Sequence, residues 1–199
     1  ISFFTFIIIN NAHEELQEKI TTLKEDYTNN QKALLKNYVN YVIKFIDYYY
    51  IENRDKFDEE TIQQNLILAL DHLNISSNPN EYIFIFDING NLIDNSNDKQ
   101  EIGKNFLNYK DSKGKNVVKE LIEASKNSDG GFVNYFWTKP SLTKETNKIS
   151  YVKSYDRWNW TIGKGVYLDE IDRLIKQKET LEPVETIGQV VASGFEVGV

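Results

Sequence analysis

Tyr151-Val-Lys-Ser-Tyr-Asp-Arg-Trp-Asn-Trp-Thr-Ile-Gly-Lys-Gly-Val-Tyr167 reads as two antiparallel strands joined by a tight polar turn that carries tryptophans. Strand-forming aromatic and branched residues lie on both sides of the polar Asp156-Arg157. Upstream, Gly130-Gly131-Phe-Val-Asn-Tyr-Phe-Trp-Thr-Lys-Pro140 starts at a glycine turn and reads as a third strand. Tyr82-Ile-Phe-Ile-Phe86 is an apolar strand, Asp87-Ile-Asn-Gly90 a turn, and Asn91 to Ile93 the start of a returning strand. Hairpin-linked strands imply an antiparallel sheet rather than strand–helix–strand crossovers.

Helical patterns surround these strands. From Asn11 to about Glu52 there is no proline or glycine, and Leu16, Ile20, Leu23, Tyr27, Leu34, Leu35, Tyr38, Tyr41, Val42 and Phe45 recur at three- and four-residue spacing. A straight helix of that length extends roughly 60 Å at 1.5 Å per residue, suited to a stalk. Phe57 to Leu73 reads as a second helix capped by Asp58. Glu101 to Asn108 and Asn116 to Lys126 read as short helices, the latter with Val117, Val118, Leu121 and Ile122 inward. A final helix is expected from Leu168, with Ile171, Leu174 and Ile175 on one face; Pro183 ends it. The expected fold class is α+β: a five-stranded antiparallel sheet packed on a long N-terminal helix.

The expected organisation is the end of a transmembrane helix at 1–10, a stalk helix at 11–54, a globular domain at 55–180 and an unassigned tail at 181–199. The apolar run Ile1 to Ile9 is too short to span a bilayer alone, which takes about 20 residues. The net charge of -7 argues against a nucleic-acid binder. There is no cysteine, so disulfide and thiolate chemistry are excluded. His13 and His72 have no triad or zinc partner in the pattern, Gly163-Lys-Gly165 lies in a strand and is no phosphate loop, and the spacing of Asp94, Asp98 and Glu101 is not that of a calcium loop. No catalytic residue, metal or cofactor is expected.

Side chains of a strand alternate faces. Val133, Tyr135, Trp137 and Lys139 therefore share one face, and Ile149, Tyr151 and Lys153 share one on the next strand. The pairing expected here sets Tyr151 and Lys153 across from Tyr135 and Trp137, a lysine among aromatic rings. The residues alone favour the reading of Lys153 as a solvated strand lysine and of the aromatics as core.

At this point the residues resemble a family. Tyr82-Ile-Phe-Ile-Phe-Asp-Ile-Asn-Gly-Asn-Leu, Ile102-Gly-Lys-Asn, Gly130-Gly-Phe-Val-Asn-Tyr-Phe-Trp-Thr-Lys-Pro, Ile149-Ser-Tyr-Val-Lys and Trp158-Asn-Trp-Thr-Ile-Gly-Lys-Gly-Val-Tyr follow in the order of bacterial extracellular Cache sensor domains of the single-module type. The likeness covers roughly residues 55 to 175. It implies a PAS-like sheet behind a long helix, and the periplasmic or extracellular sensor of an inner-membrane chemoreceptor, histidine kinase or cyclic-dinucleotide enzyme. It implies a homodimer, anchored through its flanking helix, that binds small carboxylates such as acetate, propionate, pyruvate or lactate, or an amino acid. The implied ligand residues are Tyr135, Trp137, Tyr151, Lys153, Asn95 and Phe84. Many members carry Ala-His-Pro where this chain has Asp94, Asn95 and Ser96, so an imidazole donor is replaced by an amide. An enzyme or a purely structural dimerisation stalk are the alternatives. The first needs a nucleophile or base with an orienting partner, and the second leaves the strand motifs without purpose.

Overall fold

The computed structural model describes residues 3–73, 78–173 and 176. The chain divides into two compact units, residues 29–167 and residues 1–28 with 168–199. Helix α1 (Phe3–Asn53) contributes to both, and its length follows from a stretch without proline or glycine. In the smaller unit Lys24 pairs with Asp172 at 2.8 Å, and residues 169–173 are helical. Leu174, Ile175 and the tail after Pro183 lie outside the described residues. Among the described residues no helix is long and apolar enough to cross a membrane.

The larger unit is a PAS-like domain. After α1 come α2 (Glu59–Leu73), β1 (Ile83–Asp87), β2 (Leu92–Asn95), α3 (Val117–Ser125), β3 (Gly131–Lys139), β4 (Lys144–Tyr155) and β5 (Trp160–Tyr167). The strands form one antiparallel sheet in the order β2-β1-β5-β4-β3. α2 starts where the side chain of Asp58 accepts from the Thr61 amide at 2.8 Å and the Thr61 hydroxyl at 2.9 Å. Asp87 nucleates the first hairpin by accepting from the amides of Asn89 and Asn91 at 2.9 and 2.8 Å. Gly90 takes φ 82°, and a β-carbon there would lie 2.8 Å from Leu107 Cβ. The tryptophan turn is pinned to α2 by Trp158 Nε1, which donates to Glu59 at 2.7 Å.

One expected helix is absent. Residues 101–108 hold only the end of a 3-10 turn, Lys99–Glu101. Gly103 sits at φ 85°, and the backbone beyond it bonds to the first hairpin instead: Leu92 N to Lys104 O at 2.9 Å and Phe106 N to Gly90 O at 2.8 Å. The hairpin edge offers these groups partners that a short isolated helix cannot match.

The sheet has two covered faces. One carries Phe84, Phe86, Val133, Tyr135 and Val152, which pack with Val117, Val118, Leu121 and Ile122 of α3. On the other, Lys164 reaches the Tyr38 ring of α1 at 4.0 Å, and Ile83, Ile85 and Ile162 are buried. The buried stripe of α1 is Leu35, Val39, Val42 and Ile46, whereas Leu34 and Tyr41 from the expected stripe are exposed. The expected stripe holds Leu35 and Val42 beside Leu34 and Tyr41, all at helical spacing, so periodicity could not choose among them. Ile46 is fully buried and Tyr41 is 70% exposed. Ile46→Ala is therefore expected to cost about 2–5 kcal/mol in urea unfolding, and Tyr41→Ala to stay within about 0.5 kcal/mol.

Candidate functional site

A cavity of about 530 Å³ opens on the α3 side of the sheet. Its floor is strand residues Phe84, Phe86, Tyr135, Trp137 and Lys148, and its cover is the segment from Asn95 to Tyr109. Two carboxylates hold that cover and its continuation in place. Asp111 accepts from the amides of Lys113, Lys115 and Phe136, each at 2.9 Å. Glu145 accepts from the Tyr109 hydroxyl and the Ser112 amide, both at 2.9 Å. Burial and then the Glu145 hydrogen bond push the Tyr109 phenol up to about 12. On the far side of β2, Lys99 joins Asp94 and Asp71, each at 2.6 Å, and ties the 3-10 turn to α2.

Lys148 is the chemical centre of the cavity. It is 1% exposed, yet forms no salt bridge among the described residues. Its ammonium lies 3.9 Å from the centre of the Tyr82 ring, 5.0 Å from that of Tyr167 and 5.6 Å from that of Phe84. Nζ donates to the Tyr82 hydroxyl at 2.7 Å. Tyr82 and Tyr167 hydroxyls are 3.3 Å apart, and Tyr167 donates to Thr138 O at 2.8 Å. A donor chain thus runs from Lys148 through two phenols to a backbone carbonyl, leaving two of the three ammonium protons without a protein acceptor among the described residues. Burial holds the Lys148 amine well below the usual lysine range. Burial likewise raises the Tyr82 and Tyr135 phenols, so both stay neutral donors.

Space for Lys148 comes from the neighbouring strand. A β-carbon on Gly165 would lie closest to Ser150 Oγ, then 2.6 Å from Lys148 Cε and 2.9 Å from Ile149 O. Gly163 makes the same allowance for the Phe84 ring.

Four of the six residues implied at sequence level line the cavity: Phe84, Asn95, Tyr135 and Trp137. Asn95 Oδ1 accepts from the amides of Asn97 and Asp98 at 3.0 and 3.3 Å, leaving its NH2 donors for the cavity. Tyr151 and Lys153 are on the opposite face of the sheet. Tyr151 is buried against Phe132 and donates to Asp129 O, and Lys153 lines a separate, smaller cavity with Lys126 and Thr161. The reason is register. β4 begins at Lys144, and a short turn closes with Lys139 opposite Lys144. That turn pairs Tyr135 with Lys148 and Trp137 with Thr146, so even-numbered residues of β4 share the face of odd-numbered residues of β3. A signal for Lys148 existed in the glycines of Gly163-Lys-Gly165, which mark a place where bulky groups cross a strand.

The fold and cavity define an antiparallel α+β ligand-binding module. The Single Cache domain 2 family model matches residues 27–180, and the chain belongs to this family. It is 30% identical over 171 residues to the sensor histidine kinase MctS of Rhizobium johnstonii, covering 86% of this chain and 36% of the kinase. It is 27% identical over 119 residues to the methyl-accepting chemotaxis protein McpP of Pseudomonas putida, covering 60% of this chain and 21% of that receptor. The chain thus spans about a third and a fifth of the lengths of these relatives. Among solved structures, a methyl-accepting chemotaxis protein from Vibrio parahaemolyticus superposes with TM-score 0.67 at 26% identity, covering 77% of this chain and 99% of that one. A Cache chemosensory domain, solved as a structural basis for carboxylic acid recognition, gives TM-score 0.64 at 27% identity over 72% of this chain and 97% of that one. The chain is a Cache sensor domain of the kind found in chemoreceptors and histidine kinases.

Lys148 should make the domain less stable than an apolar residue would. An unfolded lysine titrates near 10.4, above the lowered value in the fold, so the unfolded chain binds the proton more readily. Stability lost to this group is greatest at low pH and is regained as pH rises toward about 10.4. Lys148→Met is expected to be more stable than the parent at pH 7, with the difference narrowing up to pH 10. Urea unfolding of both proteins across that range checks this.

Proposed function

We propose that this chain is the extracytoplasmic ligand-binding part of a membrane signalling receptor, a chemoreceptor or histidine kinase, and that it binds a small organic acid or amino acid through its carboxylate. The observation that carries the reading is Lys148, a buried cation on the cavity wall with no acidic partner among the described residues. A carboxylate entering the cavity supplies that charge. It accepts from Nζ, with the Asn95 amide and the Tyr135 hydroxyl as neighbouring polar groups. Tyr135 and Ser150 hydroxyls are 2.8 Å apart and either donates, so Tyr135 can turn its proton toward a ligand while accepting from Ser150. Phe84 and Trp137 supply apolar wall. The solved Cache domain described for carboxylic acid recognition supports the same class of ligand.

Binding alters signalling only if the ligand prefers one of two conformations. The cover segment from Asn95 to Tyr109 is the element placed to differ between them. Association through α1 belongs to this reading as well: Leu34, Tyr41 and Tyr48 are exposed and spaced seven residues apart on one helix, a stripe that a parallel homodimer buries.

Calorimetry on the purified domain tests the ligand class with acetate, propionate, pyruvate and lactate beside their neutral amides. Acids are expected to bind and amides not. Removing a charge-assisted contact costs about 1.5–3 kcal/mol, so Lys148→Gln should weaken binding roughly ten- to hundredfold. Equal binding of acid and amide, or an unchanged affinity in Lys148→Gln, refutes the reading.

A further inference from the structure

We propose that the ligand is a monocarboxylate with a ring-sized apolar body, and that the site excludes both dicarboxylates and α-amino acids. This rests on the carboxylate reading of the cavity and narrows it. Three observations carry it.

The first is size against lining. The cavity holds about 530 Å³, in the range of sites for drug-sized ligands and far beyond a two- or three-carbon acid. Beyond Lys148 its walls are mostly rings and leucines. Phe86 and Phe106 meet at 6.1 Å, Phe106 and Trp137 at 6.0 Å, Tyr109 and Trp137 at 4.9 Å, and Leu92 and Leu121 fill between strands and helix. Each methylene moved from water to such a wall is worth about fourfold in affinity.

The second is the number and place of charges. Lys148 is the single cation among the described lining residues, and the other charged groups there are Asp98 and Glu101. Asp98 is exposed and caps the 3-10 turn by accepting from Gln100 N at 3.1 Å. Glu101 already meets Lys104 at 2.7 Å. A second carboxylate on the ligand finds no cation in the lining and two like charges instead.

The third is the surroundings of Lys148. With a carboxylate on Nζ, an α-ammonium lies one carbon away, beside the like charge of Lys148, while the carboxylates of the lining, Asp98 and Glu101, already accept from Gln100 N and Lys104 Nζ. The faces of Tyr82, Phe84 and Tyr167 nearest that point are already occupied by the lysine ammonium.

A panel on one carbon skeleton separates these effects. 3-Phenylpropionate, phenylalanine and benzylsuccinate share the benzyl-bearing chain, to which phenylalanine adds an α-ammonium and benzylsuccinate an α-carboxymethyl group, and propionate lacks the ring. Isothermal titration calorimetry at pH 7 is expected to rank 3-phenylpropionate at least about thirtyfold above propionate and at least tenfold above the other two. The doubly substituted Asp98→Asn, Glu101→Gln domain is expected to narrow the ratio between 3-phenylpropionate and benzylsuccinate. Propionate binding as tightly as 3-phenylpropionate overturns the size argument. Phenylalanine or benzylsuccinate matching 3-phenylpropionate, or a benzylsuccinate gap unmoved by the double substitution, overturns the charge argument. In each of these cases the carboxylate reading survives if Lys148→Gln still weakens propionate. If no acid of the panel binds, or Lys148→Gln is without effect, both readings fall together.

Discussion

The site depends on one buried contact, the Lys148 ammonium against the Tyr82 hydroxyl and ring. A lysine taken out of water without a counterion is costly, and the fold spreads that cost over aromatic faces and one hydroxyl rather than a carboxylate. Geometry makes this workable. Tyr82 enters just before β1, Tyr167 ends β5 and Lys148 lies on β4, so the cation sits where three strands of the sheet meet. Gly165 beside it leaves room for the four-carbon stem. An acidic neighbour at that point would neutralise the cation and remove its use. A buried charge left open toward a cavity is a stability defect with a functional reading.

The rest of the α3 side serves to keep that cavity shaped. The cover carries little regular structure, and its backbone groups are satisfied instead by Asp111 and Glu145 and by bonds to the first hairpin. Asp94 shows the same economy on the other face. Its carboxylate is fully buried and shares Lys99 with Asp71, and its second oxygen has no hydrogen-bond partner among the described residues. Burial raises its pKa while Lys99 opposes the shift. Adjacent residues of β2 thus serve opposite faces: Asp94 anchors the 3-10 turn to α2, and Asn95 lines the cavity and caps the segment that follows. A change at the ligand face and a change at the helix face are one residue apart in the chain.

Helix α1 meets the sheet through few but specific contacts beyond its apolar stripe. Lys164 lies over Tyr38, Arg157 lies 4.0 Å from the Tyr50 ring centre, and Lys36 pairs with Asp129 at 2.5 Å. Lys164 sits between the two glycines of β5 that face the cavity. A single strand therefore presents its small residues to the site and its cation to the helix, a short physical link between ligand face and helix face.

The sequence by itself determined the strands, their hairpin connections, α2 with its Asp58 cap, α3 with its inner face, and the family. Each is set by local chemistry: turn residues, caps and alternation act over a few positions. The aromatic half of the site was legible for the same reason, since Tyr135 and Trp137 share parity within one strand. What only the tertiary structure decided was which lysine joins them. That choice rests on where β4 begins, and a hairpin closed at Lys139 and Lys144 sends Lys148, rather than Lys153, to the cavity. One residue of register inverts every side chain of a strand, and no pattern within the strand records it. The inward face of α1 was hidden similarly: Leu34 and Leu35, or Tyr41 and Val42, are equivalent in periodicity, and only packing against the sheet selects the second of each pair.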